Sequence, residues 1–187
     1  MKSFRWNVSA GAILFFSLAY FFDGSGVVSA AVPAALAHEL GHAAALRLCR
    51  CRLKRFSLTL TGAQLDYAPR LDGLPSILCC LAGPAAGIVY AVAACTAGGA
   101  YWQMSGAVSF LLSVFNLLPI LPLDGGRIMA VLLQEKAACS VSRAAALLLF
   151  AGGAAVAFRF RSFAMLLMGA WLFACNLPAR GIDPMKE

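Results

Sequence analysis

The chain has only two histidines, and both fall in one five-residue string, His38-Glu39-Leu40-Gly41-His42. The pattern is H-E-x-x-H. Residues i and i+4 of a helix share a face, so both imidazoles can reach one metal ion. Glu39 stands next to that face, where a carboxylate can take a proton from a water activated at the metal. The chemistry implied is metal-assisted hydrolysis. A chance match in an alanine-rich helix is the competing explanation. It weakens because the string lies in an apolar stretch, where ionisable side chains are expensive and functional by default.

Two histidines do not complete such a site, because catalytic zinc usually has three protein ligands and one open position. No histidine remains, and the acidic residues outside the string are Asp23, Asp66, Asp72, Asp124, Glu135, Asp183 and Glu187. Asp124 stands out. It follows a long apolar run, in Pro122-Leu123-Asp124-Gly125-Gly126-Arg127. Proline removes a backbone donor and paired glycines permit tight turns. Broken helix at membrane depth is tolerated only where it is buried in protein or lines a wet cavity. A helix-end cap or a partner for Arg127 is the plainer role for this carboxylate.

The elements that must position these residues are dictated by composition. Of 187 residues 61% are hydrophobic and only 12% charged. A soluble domain is roughly half apolar and a quarter charged, so the excess must face lipid. That excludes a soluble enzyme, a disordered tail and a nucleic-acid-binding module. Fifteen Lys and Arg against eight Asp and Glu give a net charge of +7, and the positive residues sit between apolar stretches, as in membrane proteins. The seven cysteines are an odd number, mostly in or near apolar runs, and read as small hydrophobes rather than a disulfide framework. Cys49-x-Cys51 lacks the spacing and the second pair of a zinc site.

Apolar runs at 8–22, 27–48, 74–97, 106–121, 144–158 and 163–177 predict an all-α polytopic membrane protein of about six transmembrane helices. A secretory signal peptide competes for the first run, but the second follows it at once. Alternation over 56–67 around Gly62 predicts a short β-hairpin after the second helix, whose open edge suits an extended peptide unless it is an amphipathic loop in the interface. Residues 128–133 read as a short continuation, and the tail from Pro178 is polar. With the N-terminus inside, inner segments carry two, six, three and two basic residues, against none, none and two outside. Both termini are therefore expected in the cytoplasm. The length suits one membrane-embedded domain over 1–187.

His38-Glu39-Leu40-Gly41-His42, together with Asn116-Leu117-Leu118-Pro119-Ile120-Leu121-Pro122-Leu123-Asp124-Gly125, resembles the site-2 protease family of intramembrane zinc metalloproteases. Asn116, Pro122, Asp124 and Gly125 keep the family's N-x5-P-x-D-G spacing, and Ala82-Gly83-Pro84 looks like its A-G-P stretch. The chain is most similar to the family's bacterial stage IV sporulation branch of FB type. The resemblance implies one zinc ion held by His38, His42 and Asp124, with Glu39 as general base and acid and Asn116 on the substrate. It also implies a bacterial cell membrane, an active site toward the cytoplasm and a membrane-associated protein substrate such as a sigma-factor precursor, with membrane-protein regulators. Neither a PDZ-like insert nor a C-terminal regulatory domain is expected. Gly87 stands where many relatives carry a small polar residue or Asn. A metal-ion transporter and an inactive scaffold are the alternative functions. A transporter does not need a Glu between two ligand histidines, and a scaffold would be expected to have lost a ligand or the base.

Overall fold

The computed structural model describes residues 5–59, 62–69, 71–133, 135–161 and 164–177. Lys2, Leu60, Thr61, Arg70, Phe163 and the tail from Pro178 lie outside these. The chain forms two compact units, residues 1–116 and 117–187.

The first unit opens with β1 (Arg5–Val8) and α1 (Ala10–Phe22), then α2 (Val27–Leu48). The turn into α2 is built by Asp23. Its Oδ2 accepts the Val28 N–H at 2.6 Å, and Oδ1 accepts the N–H and hydroxyl of Ser25. A first-turn donor of the helix is thereby satisfied from outside the helix. The Ser25 hydroxyl is the main reason the Asp23 carboxyl sits below its ordinary pKa. At its other end, α2 stops where Arg50 takes a left-handed φ of 57°, and the Arg50 and Cys51 N–H groups bond back to the Arg47 and Leu46 carbonyls.

Next come β2 (Arg52–Thr59) and β3 (Gly62–Ala68), then α3 (Leu74–Ala97) and α4 (Ala100–Asn116). β2 pairs antiparallel with β3, and β1 pairs parallel with the other edge of β2, Arg5 opposite Arg55. The strand element is thus a three-stranded sheet, and a two-stranded hairpin in an otherwise all-α chain is corrected to that extent.

Helices α2, α3 and α4 pack on one another, and they do so through small residues. A Cβ on Gly41 of α2 would run into the Ala82 carbonyl and the Ala86 side chain of α3, and one on Gly106 of α4 would meet the Ala91 carbonyl of α3 at 2.8 Å. Serines at one-helical-turn intervals, Ser105, Ser109 and Ser113, are fully buried on α4. Ser105 donates to the Ala30 carbonyl of α2 at 2.8 Å and lies 2.8 Å from the Tyr90 hydroxyl of α3. Ser109 donates to the Gly87 carbonyl at 2.8 Å. Small residues that let backbones approach, with hydroxyls bonding across, are how helices associate without a hydrophobic driving force. The large apolar side chains point the other way: Phe22, Val89, Val92 and Phe110 are exposed.

The second unit holds α5 (Asp124–Leu132), α6 (Glu135–Phe160) and α7 (Ala164–Cys175). α6 packs on both α5 and α7, with Leu148, Phe158 and Leu167 exposed.

Among the described residues, two helices are long and apolar enough to cross a bilayer, Leu74–Ala97 and Lys136–Arg159. This overturns the expected six spans. At 1.5 Å per residue, 24 residues reach about 36 Å, more than the ~30 Å hydrocarbon core. The 13 residues of α1, 17 of α4 and 12 of α7 reach about 20, 26 and 18 Å. α2 is long enough, but His38, Glu39, His42 and Arg47 lower its hydropathy.

Candidate metal centre

His38 and His42 are one turn apart on α2. His38 is buried and His42 half-buried. Their Nε2 atoms are 3.2 Å apart and their rings meet edge to face. His42 is held from behind: its Nδ1 is 2.8 Å from the Cys79 carbonyl of α3. That bond places the proton on Nδ1 and turns the Nε2 lone pair toward His38, the usual way a ligating imidazole is oriented. One turn along α3, Gly83 makes the room, because a Cβ there would run into the His42 ring. Gly83 and Gly87 form a G-x-x-x-G pair on α3. The first admits the imidazole, and the second admits the Ser113 hydroxyl. The A-G-P stretch thus has a steric reason in this chain.

Asp124 is the first residue of α5 and is buried. A carboxylate at a helix N-terminus is favoured by the unpaired N–H groups there. Leu123 before it is extended, and the Leu123 N–H bonds to the Ile120 carbonyl at 2.8 Å. Gly125 and Gly126 are buried flat against the preceding loop. A Cβ on Gly125 would collide with the Leu117 carbonyl, and one on Gly126 with the backbone of Ile120 and Leu121. The glycines after Asp124 are needed for this close approach rather than for positive φ.

His38, His42 and Asp124 are a group of residues that can coordinate a metal ion. The donor set fits zinc. Two nitrogens each about 2.0–2.1 Å from one tetrahedral zinc stand roughly 3.3 Å apart, against the 3.2 Å observed.

Glu39 follows His38 on α2 and is half-buried. Asn116 ends α4, half-buried, with its amide nitrogen donating to the Leu112 carbonyl of its own helix at 2.9 Å. The seven cysteines are free thiols, and Cys51, Cys79 and Cys80 are buried. Burial pushes the Cys51 thiol up, as in an inert core residue. Sequence reasoning missed the Cys79 carbonyl and the steric role of Gly83, for which only the A-G-P stretch gave a signal.

Residues 82–160 match the model of peptidase family M50. The search of curated proteins returns no match. Among solved structures the fold is shared with the site-2 protease from Methanocaldococcus jannaschii, at TM-score 0.63 and 16% identity, over 93% of this chain and 89% of that one. At that identity the likeness carries the fold and does not reach the FB-type sporulation branch. The chain is thus similar to peptidase family M50 over residues 82–160 and shares the fold of a site-2 protease, and its described residues hold a His-His-Asp cluster able to coordinate a metal ion.

Proposed function

We propose that the chain is an intramembrane protease that cleaves a membrane-associated protein within or near the bilayer. The observation that supports this best is the His38–His42–Asp124 cluster with Glu39 next in chain to a ligand. His38, His42 and Asp124 would hold one zinc ion, which supplies a lowered water pKa and a polarised peptide carbonyl. Glu39 takes the proton of the attacking water and returns it to the leaving amine. Asn116 contacts the substrate backbone. A helical substrate hides its carbonyls in hydrogen bonds and has to unwind locally before attack.

The resemblance of the two sequence motifs, at 38–42 and 116–125, to the sporulation branch supports a bacterial cell membrane and a sigma-factor precursor as substrate. The basic residues at 47–55 support cytoplasmic termini and a cytoplasm-facing site.

The test is reconstitution of the purified chain in liposomes with single-span reporters, one of them carrying a sigma-factor pro-sequence. Cleavage is expected, is blocked by 1,10-phenanthroline and returns with added zinc. Zinc uptake into the vesicles without cleavage of any reporter would identify a transporter instead.

A further inference from the structure

The loop before Asp124 has a backbone that must be satisfied in apolar surroundings. Pro119 and Pro122 have no N–H. The Ile120 and Leu123 N–H groups bond within the loop, to the Leu118 and Ile120 carbonyls. Leu121 lies between them, and both of its peptide groups are bonded elsewhere. Its N–H donates to the Ser142 hydroxyl of α6 at 2.7 Å. That hydroxyl donates to the Asn176 Oδ1, just beyond α7, at 2.5 Å. The Asn176 amide nitrogen donates back to the Leu121 carbonyl at 2.6 Å, and its second hydrogen goes to the Leu172 carbonyl at 2.9 Å. The ring starts and ends on Leu121 and uses every polar hydrogen of the two side chains. Ser142 is 1% exposed, so water does not substitute for it.

We propose that Ser142 and Asn176 are positioning residues for Asp124, clamping Leu121 at both its N–H and its carbonyl so that the carboxylate is delivered to the metal in one place. The linkage is steric as well as covalent. The first turn of α5 rests on the backbone of Leu117, Ile120 and Leu121 through Gly125 and Gly126, so a loop that shifts carries Asp124 with it. This role rests on the metal-centre reading above. Outer partners of this kind are worth about 10–100-fold in metal affinity.

The test uses the full chain in detergent, loaded with Zn2+ or Co2+. Metal release into excess EDTA, the cobalt d–d spectrum and the melting temperature of the metal-free form are read for wild type, Ser142→Ala and Asn176→Asp. Ser105→Ala is the control, since it also removes a buried serine hydroxyl but leaves Leu121 alone. Release about 10–100-fold faster in the two ring variants, with an altered cobalt spectrum, is expected, while Ser105→Ala releases like wild type. Ser142→Ala removes one oxygen and keeps the test open if Asn176→Asp does not fold. Wild-type release and spectrum in Ser142→Ala, whatever its melting temperature, would overturn the positioning role alone. A wild type that binds neither metal would overturn the metal centre, and the positioning role with it.

Discussion

Glu39→Gln is expected to keep the full metal content of wild type and to cleave about 10²–10⁴ times more slowly, the span over which a positioned general base contributes. Glutamine has nearly the shape of glutamate, so the packing of α2 on α3 is preserved. The carboxylate next to His38 is what changes, and an amide cannot take a proton from water at neutral pH. The measurement is reporter cleavage in liposomes beside zinc content on the same preparation. Loss of zinc in Glu39→Gln would make Glu39 part of the metal's support. Undiminished cleavage would place the base elsewhere.

Gly83→Ala is expected to lose the metal and, with it, cleavage. The added methyl falls on the His42 ring. The ring cannot back away without giving up the 2.8 Å bond from Nδ1 to the Cys79 carbonyl. A retreat of α3 would open the close packing of Gly41 of α2 on the Ala82 carbonyl of α3. Overpacking of this kind costs about 1–3 kcal/mol when it is relieved by small shifts, and here the shift falls on a ligand. Gly87→Ala is the contrast. Its Cβ meets the Ser113 hydroxyl, the end of a side chain that can rotate aside. Its metal content is therefore expected to stay near that of wild type. Equal zinc content and cleavage in Gly83→Ala and wild type would contradict this account of the site.

The three candidate ligands were legible because their signals are local. The i, i+4 spacing of His38 and His42 needs only a helix, and Asp124 announces itself by the proline and glycines around it. The number of spans was not legible, because hydropathy marks apolar runs and not where hydrogen bonding stops. α4 starts at Ala100 and ends at Asn116, short of the run that continues to 121. Beyond it lies a loop with two prolines, which cannot extend a helix ladder. β1 was hidden for a different reason. Its partner lies some fifty residues away, and Arg5–Val8 carries no turn signal. Ser142 and Asn176 are single polar residues in apolar helices or at their ends. Only the fold brings them to Leu121.

The central claim is a metal held by His38, His42 and Asp124. It is tested most directly by zinc per chain in purified protein, measured for wild type, His38→Ala, His42→Ala and Asp124→Ala. The account predicts about one zinc in wild type and its loss from each of the three variants. No tightly bound zinc in wild type, or full retention in Asp124→Ala, would contradict it.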